Sequence, residues 1–228
     1  MMFVSLIKEA LQLSSQEYFE ALYYYGDKHN KKSKDFCFSV FLKGYELKED
    51  KDIFEIGDGL SFNISSPDPE FIINLYNGLL KLDEFQYKDF TLKKDKIHLL
   101  KEKNIFEEEV VFRTLSPIHI TDKHKNSLSP YDKAFDREFN YTLDMILSNY
   151  RGEGLVEPVE FKPIHMTKVV VKEEIARFQE LTGERYLHIE SYAGIFKLKG
   201  NVSDLRDIYT LGASMRRNQG FGMIEVVV

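Results

Sequence analysis

The chain has 228 residues with 43% hydrophobic and 30% charged, a globular mixture that excludes an intrinsically disordered protein. Its formal net charge of −6 argues against a general nucleic-acid binder, although basic residues gather in "DKHNKKSK", "TLKKDK", "TDKHK" and "MRRNQ", which leaves room for a local cationic groove. The single cysteine, Cys37, excludes an intrachain disulfide and a paired-cysteine zinc site and fits a reducing, cytoplasmic compartment; no apolar run reaches the roughly 20 residues that span a bilayer, and "MMFVSLIKEALQ" reads as mature protein without a leader.

Apolar residues at Phe3, Leu6, Ile7, Ala10 and Leu11, then at Tyr18, Phe19, Leu22 and Tyr23, recur at helical spacing and predict one or two amphipathic helices joined at "SSQE", a capping junction. The run "FCFSVFLKGYEL" from Phe36 predicts a strand whose Phe36, Phe38, Val40 and Leu42 face the core. "DIFEIGDGLSFNISS" from Asp52 predicts a hairpin turning through Gly57-Asp58-Gly59. Asp68 caps a helix carrying Phe71, Ile72, Leu75, Leu79 and Leu80, and two strand-like runs follow, "EFQYKDFTLK" and "KIHLLKEK".

The same order then returns. A strand ends at Pro117; a helix has Pro130 near its first turn; a long strand from Val159 is broken near Pro163; two strands meet at Tyr192 to Gly194; a short capped helix starts at Asn201; and "FGMIEVVV" closes the chain as a strand. Strands and helices alternate as β-α-β-β-α-β in both halves, the pattern of two tandem ferredoxin-like (split βαβ) domains of α+β class. The expected boundary lies near Asn104, giving domains over 1–104 and 105–228, and the first has no clear strand ahead of its opening helix.

The segment "GASMRRNQGFG", Gly212 to Gly222, brings three glycines and two arginines together near the C-terminus. Closely spaced glycines permit a tight loop with N–H groups free to face phosphate oxygens, and Arg216 and Arg217 add forked, charge-assisted donors. The segment lacks the Gly-Lys-Ser/Thr ending of a nucleoside-triphosphate loop and the Gly-x-Gly-x-x-Gly spacing of a dinucleotide site. A plain helix-to-strand turn is the alternative.

The spacing Gly212-Ala213-Ser214, five residues, then Gly220-Phe221-Gly222 and an apolar strand resembles the C-terminal glycine-rich loop of the RAMP superfamily. Within it, "GIFKLKGNVSDLRDIYTLGASMRRNQGFGMIEV" is similar to the end of the CRISPR-associated endoribonuclease of the sixth Cas type, which cuts precursor CRISPR RNA at its repeats. Ser214 departs from the family pattern, which has a second glycine there. The resemblance implies two ferredoxin-like domains and cofactor-free, metal-independent cleavage in which the 2′-hydroxyl attacks phosphorus, leaving a 2′,3′-cyclic phosphate and a 5′-hydroxyl. That chemistry needs a base near neutral pKa, an acid and a cation.

The resemblance implies a catalytic histidine between the opening helix and the first clear strand, and His29, in "YYYGDKHNKKSKDFCFS", stands there. Lys34, Lys31 or Lys32 is the candidate transition-state cation, and Tyr25, Tyr24 or Tyr23 the residue that orients the phosphate. Gly212, Ser214, Arg216, Arg217, Asn218, Gly220 and Gly222 are the candidate RNA contacts of the loop, joined by Lys123 with His124 and Lys125, and by Lys168 with Lys172 on a strand. His119, His124 and His165 lack a supporting carboxylate pattern for zinc, while His98 and His188 alternate with apolar neighbours as strand residues do. The implied partners are CRISPR repeat RNA, as precursor and mature guide, other effector-complex subunits and a second copy of the chain. A non-catalytic RAMP subunit holding guide RNA is the competing reading.

Overall fold

The computed structural model describes residues 1–48 and 53–227. Helix α1 (Met2–Ser14) buries Leu6, Ile7, Ala10 and Leu11, and Ser15 then breaks the helix with an extended backbone. Its hydroxyl accepts from the Tyr18 N–H at 3.2 Å and so caps α2 (Gln16–Tyr23), as the "SSQE" junction predicts. The chain continues through a minimal hairpin of β1 (Tyr24–Tyr25) and β2 (Lys28–His29).

The next four strands are β3 (Cys37–Leu42), β4 (Tyr45–Lys48), β5 (Ile53–Ile56) and β6 (Leu60–Ser65). They nest: β3 pairs with β6 and β4 with β5, both antiparallel. This corrects the expected hairpin through Gly57-Asp58-Gly59. The Gly57 N–H donates to the Gly44 carbonyl at 2.7 Å and the Lys43 N–H to that of Gly59 at 2.9 Å, so the glycine segment lies across from Lys43–Gly44 as a kink in one long ladder. Alternation marks a strand without naming its partner, and here the partners are nested rather than adjacent.

Helix α3 (Pro69–Lys81) starts at Asp68, whose carboxylate accepts from the Glu70 N–H at 2.9 Å, and it lies on α1 with Phe71, Leu75 and Gly78 buried. The run Glu84 to Lys93 is not one strand but a tight hairpin of β7 (Glu84–Tyr87) and β8 (Phe90–Lys93), turning at Lys88 with φ 51°. The strand expected over Lys96–Lys103 does not form. Leu99 and Leu100 are 76% and 77% exposed there.

The second half contains β9 (Glu109–Thr114), α4 (Phe135–Arg151), β10 (Glu160–Glu174), α5 (Ala176–Thr182), β11 (Tyr186–Lys199), α6 (Val202–Leu211) and β12 (Ile224–Val226). Its antiparallel sheet has the order β10-β11-β9-β12, which is the ferredoxin-like arrangement. The ladder shifts between Pro163 and His165, where proline supplies no N–H. Strand β11, by contrast, runs unbroken through Tyr192 to Gly194, where two strands were expected. Gly194 passes so close to the His165 carbonyl that a Cβ would overlap it, so glycine keeps the strand continuous.

Buried apolar side chains form two clusters, one drawn from α1, α2, β3 and α3, the other from Ile105 onward. The second is centred on Phe161, whose ring lies 4.8 Å from Phe196, 4.9 Å from Phe135 and 5.0 Å from Phe139. Helices α4 and α6 are joined by Arg151, which donates to Asp204 at 2.6 Å and Asp207 at 2.7 Å. Asp204 has no exposed surface, and its second oxygen accepts from the Val156 N–H at 2.8 Å, so the buried charge is fully compensated. Among the described residues no strand precedes α1, and no helix is long and apolar enough to cross a membrane.

Gly78 makes the fold testable. In an ordinary helix interior Gly→Ala stabilises by about 1 kcal/mol. Here the new Cβ would overlap the Ala10 carbonyl, so Gly78→Ala is expected to lower stability by about 1–3 kcal/mol in denaturant unfolding. A raised midpoint would refute the close crossing of α1 and α3.

Candidate nucleic-acid interface

The glycine-rich segment begins where α6 ends. Gly212 (φ 87°) turns the chain so that the Ala213 N–H reaches the Gly222 carbonyl at 2.8 Å, while the Gly222 N–H reaches that of Pro117 at 2.9 Å. The glycines serve close packing here as well as turning. A Cβ on Gly212 would sit 2.8 Å from Cβ of Cys37, and one on Gly220 would sit 2.9 Å from the Phe38 ring, so the loop lies directly on β3. Ser214 fits because its buried hydroxyl has work to do: it accepts from the His119 N–H at 2.8 Å and lies 2.7 Å from the Met215 carbonyl.

The two arginines diverge. Arg216 takes the left-handed conformation at φ 57°, is exposed, and donates to Glu173 at 3.1 Å. Arg217 is only 2% exposed and donates to the Leu211 carbonyl at 2.6 Å and to the Ser33 hydroxyl at 3.4 Å. Burial lowers its pKa from the usual guanidinium value, opposed by the nearby Cys37 and Asp35. Asn218 completes the seam. Its Oδ1 accepts from the Lys34 N–H at 2.7 Å, and its Nδ2 donates to the carbonyls of Lys34 at 2.9 Å and Phe36 at 2.7 Å.

The C-terminal loop is thus bonded to the segment that carries the chain from His29 into β3. His29 is exposed on β2, paired with Tyr24 and with its ring 4.9 Å from that tyrosine's. Tyr25 is 86% exposed, and Lys31 is exposed with no ion pair among the described residues. Lys34 is 7% exposed, and its ammonium donates to the carbonyls of Lys32 at 2.8 Å and Asn30 at 3.1 Å and lies 5.5 Å from the centre of the Tyr23 ring. Burial lowers its pKa, against the pull of Asp35. Lys32 reaches across to the Asn149 carbonyl at 2.6 Å, in the last turn of α4, where a cation complements the helix dipole.

Sequence reasoning passed over Ser33 and Asp35. Asp35 has a buried carboxylate oxygen without a partner, and burial raises its pKa, opposed by Arg217 and Lys32. The only signal was a carboxylate beside an apolar strand, and nothing local says that the strand's neighbour is a buried arginine. Of the remaining candidates, Lys168 pairs with Glu190 at 2.7 Å on β10–β11, whereas Lys123 stands exposed on the turn between Thr121 and Ser127 without an ion pair among the described residues. His119 is buried, its Nδ1 2.8 Å from the Glu190 carbonyl, so Nδ1 carries the proton and donates. Among the described residues, no three or more His, Cys, Asp or Glu side chains gather as a metal site.

Two predictions follow from this geometry. Asn218→Ala leaves three backbone groups of residues 34 and 36 without their partner and is expected to cost about 2–4 kcal/mol in unfolding, with faster exchange of the Lys34 amide; an unchanged exchange rate would dissolve the seam. Burial lowers the His119 pKa from its ordinary 6.5, so the unfolded chain binds the proton more readily. The stability due to neutral His119 is complete above pH 6.5 and declines as pH falls from there towards the folded-state value, so His119→Gln is expected to flatten the unfolding-versus-pH curve in that window relative to the parent.

Comparison with known proteins bears on what such a seam belongs to. The family model described as CRISPR associated protein Cas6, C-terminal, matches residues 100–226. A CRISPR-associated endoribonuclease-like protein Cas6 from Pyrococcus furiosus is 25% identical over 201 residues, covering 82% of this chain and 76% of the relative. The structure of a Cas6-related protein from Pyrococcus furiosus superposes with a TM-score of 0.79 at 21% identity, covering 99% of this chain and 89% of that one. A RAMP protein described as binding different RNA substrates gives the same TM-score of 0.79 at 20% identity, covering 100% of this chain and 90% of that one. The chain therefore shares their tandem ferredoxin-like fold. With more than half of its length matched by the family model, the chain belongs to the Cas6 family of CRISPR-associated proteins.

Proposed function

We propose that the chain is an endoribonuclease that cuts precursor CRISPR RNA within its repeats, and that its working surface is the seam where the glycine-rich loop meets the segment after His29. The observation that carries this reading is the Asn218 bridge to Lys34 and Phe36, which fastens the family's loop to the segment that follows the histidine-bearing hairpin. The names of the relatives support it: one is endoribonuclease-like, another binds RNA. The unit boundary belongs to the same proposal, after Asn104, between the two apolar clusters.

The reaction is an in-line transesterification without a metal. The 2′-hydroxyl gives its proton to a base as its oxygen attacks phosphorus. The bond to the 5′-oxygen breaks, and an acid protonates that oxygen, leaving a 2′,3′-cyclic phosphate and a 5′-hydroxyl. His29 is exposed on its hairpin and serves as acid or base. Lys31 suits the phosphorane charge better than Lys34, whose ammonium is already capped by two carbonyls. Tyr25 is free to orient the phosphate. Arg216, Lys123 and Lys168 contact the sugar-phosphate chain, with Gly212, Ser214, Gly220 and Gly222 shaping the loop. Arg217 and Asn218 act indirectly, by holding that loop on β3.

The capped, buried Lys34 favours a second reading, in which the protein holds CRISPR RNA for other effector subunits without cutting it. Labelled repeat RNA incubated with the protein in EDTA separates the two: a product ending in a cyclic phosphate is expected, and intact bound RNA selects the second reading. His29→Ala is expected to slow cleavage by about 10²-fold or more while binding stays within a few-fold. Unaltered cleavage would move the chemistry elsewhere. Arg216→Ala is expected to reduce the slope of log affinity against log salt by about 0.7, the contribution of one phosphate contact on a single strand.

A further inference from the structure

A groove of about 340 Å³ opens beside the glycine-rich loop, lined by Thr121, Asp122, Lys123, Glu138, Tyr141 and Met215. Its walls come from three elements: the turn after β9, the outer face of α4, and the residue between Ser214 and Arg216. Tyr141, on the face of α4 away from its buried residues, is 60% exposed, so its ring is open to a ligand. Lining the same groove, the Met215 sulfur accepts from the Thr121 hydroxyl at 3.5 Å. An aromatic ring and a polarizable thioether lining one groove suit a flat ring.

The charges around the groove restrict which ring. Asp122 is committed to its own turn: its oxygens accept from the N–H groups of His124 at 2.8 Å and Asn126 at 2.9 Å and from the Asn126 side chain at 2.9 Å, which also keeps it ionised by lowering its pKa. Glu138 uses only Oε1, which takes both N–H groups of Arg137 at 2.9 and 2.7 Å. Its Oε2 has no hydrogen-bond partner among the described residues and is an open acceptor. The same turn projects Lys123, His124 and Lys125, all exposed and without ion pairs among the described residues. A ring that stacks, carries an amine, and is attached to a negative backbone satisfies every one of these groups.

We propose that this groove is a nucleobase subsite of the RNA-binding surface: a splayed base carrying an exocyclic amine, as in adenine or cytosine, stacks on Tyr141 against Met215 and donates to Glu138, while its phosphates lie along Lys123 and Lys125. This rests on the RNA-binding reading above and adds to it a base preference that the glycine-rich loop alone does not supply. Uracil has a carbonyl where cytosine has the amine and would set it against the carboxylate.

The test is binding of short labelled oligo(A), oligo(C) and oligo(U) to the full chain at low salt. The parent is expected to prefer A and C over U. Tyr141→Ala should weaken A and C by about 5- to 150-fold, the range measured for loss of one base–aromatic stack, while Tyr141→Phe retains them. Glu138→Gln should narrow the difference between C and U, and Lys123→Ala should lower the salt slope by about 0.7. Since Tyr141 is largely exposed, an unchanged melting temperature in Tyr141→Ala ties its loss to the slot. Parent protein that binds RNA without regard to Tyr141 or Glu138 would remove the subsite alone; parent protein that binds none of the three would remove the RNA-binding reading together with it.

Discussion

The structure depends on three hydrogen bonds from one side chain. Asn218 meets the backbone of Lys34 and Phe36 with both its amide groups, and in doing so fastens the end of the chain to the start of β3, more than 180 residues earlier. Buried Arg217 works beside it, bridging Leu211 and Ser33. A side-chain amide is well matched to this task because it offers a donor and an acceptor in one plane, as a neighbouring strand would. The glycine-rich loop is therefore a packed joint whose outer side remains open, with Arg216 on the solvent side and Arg217 on the protein side.

That division reconciles an acidic chain with the RNA-binding surface proposed for it. Several of its cations are neutralised locally, such as Lys168 by Glu190, Arg113 by Glu225 and Lys197 by Glu109. Others do structural work on backbone carbonyls, as Lys32 does at the end of α4 and Lys34 within its own loop. Among the exposed cations that keep no ion pair among the described residues are Lys123 and Lys125, on their turn, and Lys31, just after β2. A net charge says little about such a surface, because screening confines each charge's reach to about 10 Å at moderate salt.

Much of the fold was legible because it rests on local chemistry. Ser15, Asp68 and Asn201 cap helices where a polar side chain before an apolar period predicts it, and Pro163 marks the shift in β10 that a missing N–H requires. Errors fell where a partner had to be named. The run after Asp52 reads as a self-contained hairpin, yet its two halves pair outward with β4 and β3, and Gly57 to Gly59 became a kink between them. Leu99 and Leu100 have a strand's composition yet lie exposed outside any strand.

The candidate site divides in the same way. Residue order alone marked the glycine-rich loop and the duplicated α+β architecture, because spacing, capping and periodicity are properties of neighbours along the chain, whereas the histidine-bearing connection was singled out by the family resemblance. Only the tertiary structure decided that Arg217 is buried while Arg216 is not, that Lys34 is capped, and that Tyr141 and Met215 line one groove. Exposure and pairing depend on what a residue meets after folding, and two arginines side by side in a sequence carry no mark of which one will lie against β3.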